Sequence, residues 1–211
     1  MNFFDLHCDT LYEICKKNEG LYDNSCHVSL RKSENIDRYI GCFAIWIPDE
    51  YRGREALRFF DKVYEKFLSE KEKNTSHMEF IEKSSDMEDL PRGKRGVILT
   101  VEGGAALGGS LERVGYLKKC GVRAMTLTWN GENEIGGGSG EKNPVGITEF
   151  GIKVVKEMEN QGIVVDVSHA GESLFYDISG ISKKPFMATH SNSYSVCPHR
   201  RNLKDKQFEI I

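Results

Sequence analysis

The sequence predicts an α/β fold in which parallel strands alternate with helices. Three observations carry this expectation. Apolar runs and helix-period stretches alternate along the 211 residues, without a run of hairpin signals. The stretch from Ile40 to Ile47 is apolar throughout, as suits a strand covered on both faces of a parallel sheet. Side chains able to bind metal fall at strand C-terminal ends, where barrels and open parallel sheets keep their chemistry.

The elements follow in order. Residues 2–7 read as a buried strand and 10–18 as a helix closed by Asn18-Glu19-Gly20. Residues 20–38 are turn-rich, with a short strand expected at His27-Val28-Ser29-Leu30. After the 40–47 strand, Pro48 breaks the chain. Leu57, Phe60, Tyr64, Phe67 and Leu68 then fall at helical spacing and read as a core-facing stripe. A charged stretch, 69–94, carries a strand-like Met78-Glu79-Phe80-Ile81. Strands are expected at 96–101, 122–128, 162–167 and 185–189. Helices are expected from Ser110 to Lys119, from an N-cap at Thr148 to about Asn160, from Glu172 to Ile178, and from Asp205 to Ile211. No linker or fixed-period repeat divides the chain, so residues 1–211 read as a single domain.

Composition excludes several classes. With 39% hydrophobic and 29% charged residues and a formal net charge of −3, nothing favours nucleic acid or an anionic membrane as a partner. No apolar run approaches the roughly 20 residues of a membrane-spanning helix, and no signal peptide opens the chain. The six cysteines form no C-x-x-C pair and read as reduced packing groups. The expected location is the cytoplasm.

His7 and Asp9 leave the same side of the first strand, because residues two apart share a face. Glu102 ends the third strand, His169 the fifth and His190 the sixth. Each has a bland alternative. Asp9 could N-cap a helix, Glu102 could be a solvated turn residue, and His169 and His190 could be loop histidines. Five such placements, all at strand C-termini, favour a metal site. Imidazoles and carboxylates suit zinc, and the count suits two ions, with Glu102 between the pair His7 and Asp9 and the pair His169 and His190. His27 and His77 read as surface residues. The glycines match no nucleotide-binding loop, and Gly136 to Gly140 reads as a mobile mouth loop. Arg200-Arg201 reads either as a solvated pair or as a carboxylate clamp.

Asp5-x-His7-x-Asp9, Val101-Glu102-Gly103, Asp166-Val167-Ser168-His169 and Thr189-His190-Ser191-Asn192-Ser193, followed by Arg200-Arg201-Asn202, resemble the membrane (renal) dipeptidase family, peptidase family M19. The resemblance runs over essentially the whole chain. It implies a (β/α)8 TIM-barrel fold with two zinc ions: His7 and Asp9 on one, His169 and His190 on the other, and Glu102 bridging and catalytic. It implies that Arg201 grips the terminal carboxylate of a dipeptide, with Trp129 and Asn130 also at the substrate. The implied reaction is hydrolysis of a dipeptide by a metal-activated hydroxide, with tolerance for a D-residue at the C-terminal position. Renal members carry a histidine after L-T-L-T where this chain has Trp129, whose indole N–H donates but takes up no proton. The family continues through two further strands, so the resemblance implies an incomplete barrel of about six parallel strands here. Its unpaired apolar edges would then mark either a truncated product or a chain that pairs with a second copy or another partner closing the sheet. Two alternatives remain at this stage: a metal-binding fragment with negligible turnover, and a cyclic amidase of the amidohydrolase type. The latter usually opens with H-x-H and bridges its metals with a carboxylated lysine.

Overall fold

The computed structural model describes residues 1–211. Its elements are β1 (Asn2–Cys8), α1 (Thr10–Lys17), β2 (Arg38–Trp46), α2 (Gly53–Lys73), β3 (Met78–Phe80), α3 (Ser84–Glu88), β4 (Arg95–Glu102), α4 (Glu112–Lys119), β5 (Val122–Thr126), α5 (Glu149–Gln161), β6 (Val164–Asp166), α6 (Glu172–Ile181) and α7 (Asp205–Phe208). They fall into two compact units, one of residues 1–46 and 58–100, the other of 47–57 and 101–211. No helix is long and apolar enough to cross a membrane.

In the first unit β1 pairs in parallel with β2, β2 neighbours β4, and β3 pairs in parallel with the start of β4. β2 is buried from Tyr39 to Ile45, as its unbroken apolar run requires. Ile40 and Cys42 of β2 pack with Ile81 and Ile98. On α2 the fully buried Phe60, Val63 and Phe67 follow the helical period.

β1 differs from the buried strand expected. Phe3, Phe4 and Leu6 are 46%, 47% and 41% exposed. The reason is topological: β1 ends the strand order, with β2 as its neighbour. Apolar composition reports a tendency to be covered, not the presence of a cover. The β1–β2 register steps from Asp5↔Gly41 to Cys8↔Phe43, so β1 spends an extra residue around His7. Such a bulge re-aims the side chain it carries.

In the second unit the end of β4 neighbours β5, and β5 pairs in parallel with β6 from Ala124↔Val164 to Thr126↔Asp166. Thr148 caps α5 as expected, accepting the Gly151 N–H at 2.9 Å. Gly162 ends the helix at φ +67, a left-handed conformation glycine adopts without cost. Buried Val154, Val155 and Met158 line its inner face.

Two expected strands fail. Residues 27–30 form turns, held by Leu30 N–H to the Leu21 carbonyl at 3.2 Å and Arg31 N–H to that of Tyr22 at 2.9 Å. Residues 185–189 reduce to one parallel bridge, Asp166↔Met187. Pro185 has no N–H to give a ladder, and Thr189 turns its own N–H to the Asp166 carboxylate at 3.2 Å. The final helix is also shorter than expected, one turn over Asp205–Phe208.

Candidate metal and substrate site

The second unit gathers three of the expected site residues, Glu102, His169 and His190. Glu102 ends β4 and is 3% exposed. The chain then turns at Gly103, whose φ of +107 excludes most side chains. Glu102 Oε1 lies 2.8 Å from His169 Nε2 and 3.2 Å from His190 Nε2. The two imidazole centroids are 4.9 Å apart. His169 sits at φ +67, an uncommon backbone for a residue with a Cβ and typical of places where function fixes the chain.

What holds each ring decides what it offers. Asp166, at the end of β6, is the hub. Its Oδ1 accepts the N–H groups of Ser168 at 2.9 Å and Thr189 at 3.2 Å. Its Oδ2 accepts the hydroxyls of Thr126 at 2.8 Å and Thr189 at 2.6 Å. Thr189 thereby spends its one proton on Asp166, so its oxygen accepts from His190 Nδ1–H at 2.7 Å. His169 Nδ1 lies 3.0 Å from Asn130 Oδ1, an acceptor, and donates to it. With Nδ1 as the donor on each ring, the neutral form of the imidazoles would turn both Nε2 lone pairs toward the Glu102 carboxylate. A divalent cation placed among these acceptors would satisfy all three.

Burial lowers the His169 pKa from its ordinary value, although Glu102 opposes the shift. The neutral ring is the metal-binding form. A carboxylate and two imidazoles, each imidazole steadied by a further hydrogen bond, are the chemistry a zinc ion takes. The residues present therefore fit a divalent metal.

The full length of the chain, residues 1–211, matches the profile of the family described as membrane dipeptidase (peptidase family M19). The chain belongs to that family. An uncharacterized protein of Acinetobacter calcoaceticus, from a PQQ-III 3′ region, is 26% identical over 209 residues, covering 88% of this chain and 66% of its own. A metallo peptidase from Rhodobacter sphaeroides, solved with a phosphinate mimic of the dipeptide L-Ala-D-Ala, superposes with a TM-score of 0.89 at 23% identity, covering 100% of this chain and 71% of its own. Dipeptidase AC, a metallo peptidase of family M19, gives 0.89 at 24%, covering 100% and 69%. The M19 chain thus spans about two thirds of the length of the curated relative it matches. Its fold is that of the M19 structures, an α/β fold of TIM-barrel type in incomplete form.

The remaining site residues of this M19 chain are placed as follows. Arg201 donates to the His190 carbonyl at 3.2 Å and Ser191 Oγ at 3.3 Å. Burial lowers its pKa from the ordinary value, and Glu102 and Asp166 oppose that. Trp129 lies beside the His169 ring, centroids 6.1 Å apart. Asn130, expected at the substrate, spends its side-chain oxygen on His169. In the first unit His7 Nε2 lies 3.4 Å from Asp9 Oδ1. Asp9 stands at the α1 N-cap position but its side chain makes no capping bond, so the bland alternative for it is not what the chain uses.

Gly136 to Gly140, expected to be a mobile loop, is packed. Residues 136–139 are buried, Ser139 N–H donates to the His169 carbonyl at 2.7 Å, and Gly140 N–H donates to that of Asn130 at 2.7 Å. The glycines are there for close approach: a Cβ on Gly137 would stand 2.6 Å from Val145 N and 2.8 Å from Val145 O. Sequence reasoning missed Asp166 and Thr189 as the groups that orient His190. The one available hint was their place inside the two motifs that carry the histidines.

Proposed function

We propose that this chain is a zinc-dependent dipeptidase. The observation that carries the reading is the buried Glu102 carboxylate facing Nε2 of both His169 and His190 while their Nδ1 atoms are committed elsewhere. Membership of the membrane dipeptidase family supports the reaction class. In this reading His7 and Asp9 would hold one zinc ion and His169 and His190 a second, with Glu102 shared between them. Bound there, zinc supplies Lewis-acid polarisation of the scissile carbonyl and a water acidified toward neutral pH.

The chain's own groups do the rest. Glu102 is held on the reacting side of the site and takes up positive charge. Asn130 and Thr189 keep the two imidazoles in one tautomer. Arg201 offers its planar fork to the substrate's terminal carboxylate, at a place already drawn tight by the His190 carbonyl. Trp129 lies on the His169 side of that space as an indole donor. A C-terminal D-residue and a cytoplasmic setting belong to the same proposal.

The test is metal analysis of the purified 211-residue chain together with hydrolysis of Ala- and Gly-containing dipeptides. Two zinc ions per chain and hydrolysis abolished by Asp9→Ala or Glu102→Ala are expected. Folded chain with no zinc overturns the reading. Zinc at full stoichiometry without turnover reduces it to a metal-binding fragment.

A further inference from the structure

Beside His169 and Arg201, the second unit contains a cavity of 440 Å³. Its wall carries four cations, Lys142, Arg200, Arg201 and Lys204, against two carboxylates, Glu141 and Glu172. Lys204 is neutralised by Glu172, 2.8 Å from both oxygens. Glu141 is drawn to the backbone, accepting the Glu132 N–H at 3.2 Å. Arg201 serves the main-chain carboxylate of the proposed substrate. That leaves the exposed Arg200 and Lys142, opposed by Glu141 alone, as a net positive charge with no assigned use.

Arg200 is anchored. One guanidinium nitrogen donates to the Gly140 carbonyl at 2.8 Å, and the rest of its fork remains for a ligand. A second, independent observation lies next to that anchor. Ser139 lines the same cavity and is 6% exposed, yet its hydroxyl has no hydrogen-bond partner. A buried hydroxyl left unpaired costs free energy, and native proteins seldom tolerate one without a reason. The packed glycine loop holds Ser139 and the Arg200 anchor point in consecutive positions.

We propose that this cavity receives the side chain of the substrate's C-terminal residue and selects an anionic one, so that the preferred substrates are dipeptides ending in Glu or Asp. Arg200 and Lys142 meet the side-chain carboxylate, and Ser139 donates its hydroxyl to the ligand. This deepens the dipeptidase reading and rests on it.

The experiment compares two phosphinate analogues, of Ala-Glu and of Ala-Gln, which share size and shape and differ in charge. Binding to the full 211-residue chain is measured by calorimetry. The Ala-Glu analogue is expected to bind about 10-fold more tightly, the gain of one charge-assisted contact. The preference should shrink with added salt and fall to near parity in the double variant Arg200→Ala, Lys142→Ala. Ser139→Ala should weaken both analogues by similar factors. Equal affinities in the native chain, binding of neither analogue, or a preference that survives the double variant would each overturn the subsite. Hydrolysis of Ala-Glu and Ala-Gln is followed in parallel. Turnover without preference sinks the subsite and leaves the dipeptidase reading intact. Preferential binding without turnover does the reverse.

Discussion

At the scale of single residues, the site is governed by where one proton goes. Thr189 gives its hydroxyl proton to Asp166, and this forces His190 to donate from Nδ1 and to present Nε2. Thr189→Val keeps the shape and deletes the relay. Its expected effect is a 10–100-fold loss of zinc affinity, the usual cost of removing a group that orients a ligand. Stability should fall by only about 1–2 kcal/mol, since Asp166 keeps its other three donors. Competition with a chromophoric chelator and a urea melt measure the two quantities; unchanged zinc affinity would dismiss the relay. Gly137→Ala tests the packed loop in the same way. Its Cβ would press on backbone atoms of Val145, which cannot swing aside, so a loss of about 1–3 kcal/mol is expected in the urea midpoint. The histidines of this site were legible because metal chemistry names its residue types. Asp166 was not, because its role depends on partners 40 and 23 residues away, Thr126 and Thr189.

At the scale of elements, α2 shows both what periodicity reveals and what it hides. Of its expected stripe, Phe60 and Phe67 are buried and Leu57 and Tyr64 half-buried, but Leu68 is 39% exposed, and Val63 instead completes the buried face. Glu70 was not legible, since a carboxylate on a helix ordinarily faces solvent. Here its side chain is 4% exposed and accepts the Leu21 N–H at 2.8 Å, with Lys66 at 3.1 Å and Lys73 at 3.2 Å. Burial pushes its carboxyl pKa up, but the Leu21 N–H and the two ammonium groups outweigh it and the net shift is downward. A lowered carboxyl pKa stabilises the fold above the unfolded value, and that stability is lost as pH falls through the folded one. Glu70→Ala should therefore cost about 2–3 kcal/mol at neutral pH, by leaving a buried N–H and its charge partners unmatched. Glu70→Gln should flatten the acid side of the stability–pH curve below the ordinary glutamate range. Urea midpoints measured across pH 3 to 7 decide it, and an acid limb identical to that of the native chain would be contrary. Strand β1 marks the other limit of legibility. Periodicity reports the character of a strand's faces, whereas burial depends on how many neighbours the topology supplies.

At the scale of the whole molecule, the alternation of strands and helices was readable from β1 to β6 apart from the strand expected at 27–30, because parallel strands need helical crossovers and the sequence spells both. The division into two compact units was not, since the boundary runs through the continuous elements α2 and β4 without a linker to announce it. Under the proposed two-zinc site, the ligands come from residues as far apart in sequence as His7 and His190. A ligand that binds only the native state stabilises it by mass action, by about 4 kcal/mol for each ion present at a thousand times its dissociation constant. For a chain of this length that corresponds to a rise in Tm of roughly 10 °C per ion. Calorimetric melts with zinc and with excess chelator should show this gap, and Glu102→Ala should abolish most of it because the shared carboxylate serves both ions. Asp9→Ala should remove the share belonging to one ion and leave the other. A native chain whose Tm ignores zinc would contradict the two-ion site; a gap that Asp9→Ala leaves whole would confine metal binding to Glu102, His169 and His190.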